Sequence, residues 1–160
     1  MERFSIWRGK TSSWAEGQVA RARGDKQTAQ AAFAAARKKI EAKFGDKSDD
    51  ALFLSAVGTL DAGLGRKEEA IREARQAVEL LPISKDAVNA PYLIANLALV
   101  YAWTGERDLA LEQLKKVATI PGTFETQVTY GDLRFNPRWD DLRADPRFDE
   151  IVVAAKAASR

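Results

Sequence analysis

Three glycines, Gly24, Gly65 and Gly105, lie 41 and then 40 residues apart, and each carries the same neighbourhood with it. Five residues after each comes an alanine (Ala29, Ala70, Ala110), and nine after come Phe33, Ala74 and Leu114. Twelve after come Ala36, Ala77 and Val117; seven before come Gly17, Gly58 and Ala98. Recurrence at fixed offsets constrains the fold more than composition does. It predicts copies of one supersecondary unit, none of which can bury its apolar face alone, so that stacking must supply the core.

Read at helical spacing, the copies are helix pairs with almost no strand signal. The predicted pairs are 14–22 with 26–44, 51–62 with 67–81, and 91–103 with 107–120, each split by a short glycine-bearing turn. Ser48 and Asp49 are candidate caps for the second pair, and Pro91 after Asn89 suits a first helical turn. Pro82 and Pro121 should stop the helices before them. Within 67–81 the smallest side chains, Ala70, Ala74 and Ala77, form one stripe. A lone solvated helix would gain propensity from alanine but has no reason to repeat it in register. Close packing of two antiparallel helices, and of that pair on the next, gives the reason.

This pattern resembles the tetratricopeptide repeat, a helix–turn–helix unit with small residues between its helices. The match is carried by Leu54, Val57, Gly58, Ala70, Ala77 and Pro82 in the middle copy. Ile94, Leu97, Ala98, Tyr101, Ala110 and Leu114 carry it in the third, and Gly17, Ala29, Phe33 and Ala36 in the first. Asp61 stands where the family favours an aromatic, and the period exceeds the usual 34 residues. The resemblance implies an all-α, right-handed superhelical array of about three repeats over 10–122 (about 10–47, 48–88 and 89–122). A C-terminal capping helix within 123–160 completes it.

The tail contains a doubled unit, Asn136-Pro137-Arg138-Trp139-Asp140 and Asp145-Pro146-Arg147-Phe148-Asp149. In each, Asn or Asp can cap while proline opens a helix, and the aromatic two places on can dock on the preceding repeat. Ile151, Val152 and Ala155 continue an amphipathic helix suited to closing an array. The doubled unit resembles the ending of repeat arrays in bacterial signalling proteins, where such arrays follow kinases, cyclases or winged-helix regulators. That resemblance implies a relative or fragment of such a regulator and transfers none of those activities.

Composition narrows the chemistry. The chain has no cysteine and no histidine, which removes thiolate chemistry, the commonest metal ligand and the usual general base. The paired acids Asp49-Asp50, Glu68-Glu69 and Asp140-Asp141 sit at helix starts, where negative charge suits the dipole. Gly63-Leu64-Gly65 lacks the strand and the Gly-Lys-Ser/Thr of a phosphate loop. No metal, cofactor or catalytic residue is expected, so the module reads as non-catalytic. Residues 1–48 hold eleven Lys/Arg against five Asp/Glu, although the chain's net charge is only +2. A basic face there could meet nucleic acid, but a solvated helix surface accounts for it more simply. The start of the chain does not read as a signal peptide and the apolar run 90–103 is too short to span a bilayer. No membrane segment and a cytoplasmic setting are therefore expected.

In the resembled family the first helix of each pair lines a concave groove. Carried over by position, this implies partner-binding places at Trp14, Gln18 and Arg21, then Leu52, Ser55 and Thr59, then Tyr92, Leu99 and Trp103. Such a groove suits an extended peptide, a helix, a second copy of the chain or the chain's own tail. The function expected is a protein–protein interaction scaffold, with homo-oligomerisation as the alternative and nucleic-acid binding a weaker one.

Overall fold

A computed structural model describes residues 11–45, 49–120 and 128–158, and among these it is all-helical, with no strand. The chain divides into two compact units, Met1–Leu80 and Leu81–Arg160.

The first unit holds two hairpins. Helices α1 (Thr11–Ala22) and α2 (Lys26–Phe44) form one, and α3 (Ala51–Gly63) and α4 (Lys67–Leu80) the other. Asp50 caps α3, its carboxylate accepting from the backbone N–H groups of Leu52 at 2.9 Å and Phe53 at 3.0 Å. The expected caps were Ser48, which lies outside the described residues, and Asp49. Asp50 takes the role because an N-cap side chain must reach the N–H groups two and three residues on. Asp25 does the same for α2, accepting from the Thr28 N–H at 3.0 Å.

Phe33 organises the packing between these hairpins. Its ring is wholly buried and lies 5.4 Å, centroid to centroid, from that of Trp14. A Cβ added at Gly17 of α1 would lie 2.5 Å from one edge of the ring, and one at Gly63 of α3 would lie 2.5 Å from the other. The ring thus fills a slot that exists because both flanking residues are glycine. Inside the second hairpin, a Cβ at Gly58 would meet the Ala70 carbonyl and the Ala74 nitrogen at 3.1 Å each. Ala70, Ala74 and Ala77 are buried, the expected seam.

The second unit begins with a third hairpin, α5 (Ala90–Trp103) and α6 (Arg107–Val117). Asn89 makes no side-chain cap; its amide instead donates to Asp86 at 2.7 Å, in a turn where Asp86 also accepts from the N–H groups of Val88 and Asn89. Pro91 occupies the first turn of α5 as expected. Helix α6 ends at Val117, earlier than the expected 120, and Pro121 lies outside the described residues.

All three hairpins close with one backbone motif. Gly24, Gly65 and Gly105 have φ of 76°, 78° and 87°. Each donates its N–H to the carbonyl three residues back (Arg21, Ala62, Ala102), and the next residue donates to the carbonyl five back (Ala20, Asp61, Tyr101). That pair of bonds is a Schellman closure, whose left-handed residue costs glycine little. The second helix then opens identically: the N–H groups of Ala29, Ala70 and Ala110 donate to the carbonyls of Asp25, Arg66 and Glu106. The recurring alanine is therefore the first residue of the second helix to close a full helical turn, and it is buried in every copy.

After the third hairpin come α7 (Tyr130–Phe135), a 3₁₀ helix (Pro137–Leu142) and α8 (Pro146–Ala158). Both halves of the doubled unit cap as expected. Asn136 accepts from the Arg138 N–H at 3.1 Å and Asp145 from the Arg147 N–H at 3.0 Å. Trp139 and Phe148 are each 1% exposed. The 3₁₀ helix packs on α5, and α8 packs on α6 and α7. Asp132 ties the segment together, accepting from Asn136 Nδ2 at 2.9 Å, from Trp139 Nε1 at 2.8 Å and from Arg138. Arg143 adds a second tie, donating to the carbonyls of Leu133, Arg134 and Asn136 at 3.1, 2.8 and 2.9 Å.

Candidate functional site

The nine expected groove residues fall into three environments. Trp14, Gln18 and Arg21, four and three residues apart on α1, share one face and are partly exposed, with Val19 beside them 49% exposed. Leu52, Ser55 and Thr59 on α3 are 9%, 1% and 0% exposed, so they do not line an open surface. Thr59 turns its hydroxyl onto its own helix, donating to the Ala56 carbonyl at 2.8 Å. The reason is in the composition: every residue from Leu52 to Ala62 is buried, and a helix apolar on all sides has no solvent face to offer.

On α5 the same holds for Leu99, 1% exposed. Tyr92 and Trp103 remain partly exposed but face the chain's own C-terminal segment. The Trp103 indole N–H donates to the Arg138 carbonyl at 2.9 Å. Burial pushes the Tyr92 hydroxyl well above its ordinary pKa, opposed by its hydrogen bond with Asn96 and by the Arg138 charge. This wall of the expected groove is met by the 3₁₀ helix rather than left open.

A polar cluster that the sequence reading left unassigned lies in the first unit. Asp61, 1% exposed, is the one charged residue of α3. Arg37 Nε of α2 and Arg66 Nη1 of the turn each approach its Oδ1 at 3.3 Å. Glu73 of α4 is its acidic neighbour, and Asp61 Oδ2 and Glu73 Oε2 are both buried without a hydrogen-bond partner. Burial and the Asp61 charge push Glu73 up to about 7, and burial raises Asp61 against the pull of Arg37. Beside them a cavity of about 450 Å³ is lined by Arg37, Glu41, Gly45, Phe53, Leu54, Val57 and Glu73. An acid in an otherwise apolar helix, at a place where the resembled repeat carries an aromatic, was the available signal.

Among the described residues no group of three or more metal-ligating acids is placed to hold a metal ion, and no helix is long and apolar enough to cross a membrane. The paired acids of the sequence serve structure where they are bonded: Asp50 caps α3, and Asp140 pairs with Arg143 at 2.6 Å. Comparison with protein-family models, with curated proteins and with solved structures returned no match.

Proposed function

We propose that the chain is a tetratricopeptide-like array acting as a non-catalytic protein-interaction scaffold, its hairpins stacked in a right-handed superhelix. The observation supporting this reading is the threefold turn: three glycines with φ of 76°, 78° and 87° close three hairpins by the same hydrogen bonds. Repetition of that kind builds surface rather than a reaction centre, and the chain lacks the histidine and cysteine that most nucleophilic and general-base chemistry draws on. The doubled capping unit favours a module of a bacterial signalling or regulatory protein.

The binding face is α1. Trp14 supplies an aromatic anchor, and Gln18 and Arg21 supply amide and guanidinium donors on the same stripe. An extended peptide or a helix with an acidic group fits that combination. Peptides selected from a displayed random library against the folded chain should carry an acidic residue near an apolar one. Their affinity should fall at least about tenfold in Trp14→Ala and again in Arg21→Ala, the scale of an interface anchor. Failure to select any peptide, or selected peptides indifferent to both substitutions, refutes the reading.

A further inference from the structure

Asp61 and Glu73 present a hydrogen-bonding problem that only a proton solves. Arg37 and Arg66 both approach Oδ1 of Asp61. The other oxygen, Oδ2, is buried and receives no N–H donor, and the same is true of Glu73 Oε2. The two buried acids are neighbours that act on each other's charge, so the two oxygens without donors belong to one pair. Ionised carboxylates offer only acceptors, so two of them cannot satisfy each other; a proton on one lets it donate to the other. The elements that meet here are α2, α3, α4 and the turn between the last two. Their charged groups facing the pair are Arg37 and, across the cavity, Glu41 from α2; Arg66 from the turn; and Glu69 and Arg72 from α4.

We propose that Asp61 and Glu73 share one proton in the folded protein, and that this proton is a catch holding α4 to α3 beside α2. Its loss leaves two like charges facing each other next to the cavity, and the second hairpin loosens against the first. Arg37 and Arg66 compensate one carboxylate through a single oxygen and leave the second carboxylate to repel the first.

The sign of the pH dependence follows. In the folded chain burial lifts Glu73 from its ordinary 4.5 to about 7. Between those values the folded state holds a proton that the unfolded state releases. The stabilisation is therefore fully present below 4.5 and is lost as pH rises through 7. Nothing else obscures this window. The chain has no histidine and no cysteine, so apart from the terminal amine no group has its ordinary pKa between about pH 5.5 and 8.

The test is urea unfolding of the whole chain at about pH 5 and about pH 7.5. One proton with these two pKa values raises the unfolding equilibrium constant about fifty-fold across that span. Glu73→Gln, whose amide donates to Asp61 at every pH, should change by less than tenfold over the same span. A wild-type change below tenfold, or a Glu73→Gln change as large as the wild type's, overturns the proposal. Should the variant fail to fold, the ¹³C carboxyl resonance of Glu73 in the wild-type protein decides: a midpoint above about 6 supports the shared proton, and a lower one refutes it. Hydrogen exchange over residues 53–80, corrected for intrinsic rates, should quicken from about pH 6 to 8 in the wild type alone. Unchanged exchange across that titration overturns the loosening.

Discussion

The slot around Phe33 makes a prediction whose sign depends on one ring. An ideal Cβ at Gly17 lies 2.5, 2.7 and 2.9 Å from Cε1, Cδ1 and Cζ of Phe33. Carbon atoms settle at about 3.5–4.0 Å, so Gly17→Ala requires the ring to retreat by roughly 1 Å. It has nowhere to go, because Gly63 already faces the opposite edge, where a Cβ would also lie 2.5 Å away. Overpacking of this kind costs about 1–3 kcal/mol. Replacing glycine by alanine in a helix interior returns about 1 kcal/mol. The expected net effect of Gly17→Ala is a loss of about 1 kcal/mol. With the ring removed in Phe33→Ala, itself a loss of about 3–5 kcal/mol, the same change should stabilise by about 1 kcal/mol. The double-mutant cycle, read by urea unfolding with an osmolyte present to keep the cavity variants folded, should give a coupling of about 2 kcal/mol between residues 17 and 33. If Gly17→Ala stabilises both backgrounds equally, the slot does not constrain the ring and the account of this packing is wrong.

Further outcomes follow from the turns, the alanine seam and the tail. Gly65→Ala places a Cβ in open space but at φ 78°, so it should cost about 1–2 kcal/mol through the dihedral alone, with similar losses at Gly24 and Gly105; unequal losses in thermal melts would mean the three turns are not energetically alike. Ala70→Leu puts a branched side chain into a wholly buried position and should lose about 1–3 kcal/mol in a denaturant melt, whereas an unchanged midpoint would refute the tight hairpin seam. Arg143→Lys keeps the charge but cannot span the carbonyls of Leu133, Arg134 and Asn136, so hydrogen exchange in 130–143 should rise by a factor reflecting about 1–3 kcal/mol; protection equal to the wild type's would show that the guanidinium does not tie that segment.

How far the sequence announced this structure varies from element to element. The hairpins were legible because their turns depend on a local conformation that glycine tolerates, and the motif repeats with its alanine five residues on. The tail's two capping units were legible for the same reason: Asn136 and Asp145 act on residues two places away. The expected groove was not, because lining depends on which faces other elements leave open. The run from Leu52 to Ala62 contains one charged residue, and such a helix is core on every side. Leu52, Ser55 and Thr59, transferred from a repeat whose first helix lines a groove, therefore landed in the interior. The proton-sharing pair was half legible. Asp61 stood out at a place where the resembled repeat favours an aromatic, but its partner Glu73 lies on another helix, and only packing brings them together. Phe33 was visible as a repeat position, yet nothing local said that Gly63, thirty residues on, would close the slot from the far side.

The seating of the 3₁₀ helix on α5 and of α8 on α6 has a consequence for polymerisation. A stack of like hairpins has no intrinsic last member, since whatever surface receives one will receive another, including one from a different molecule. Here Trp139 and Phe148 are sunk into the unit that carries the third hairpin, so the chain's own segment covers α5 and α6. Removing the doubled proline unit should therefore uncover α5 and α6 and leave their apolar sides to pair with another molecule, so that a truncated chain self-associates where the whole one does not.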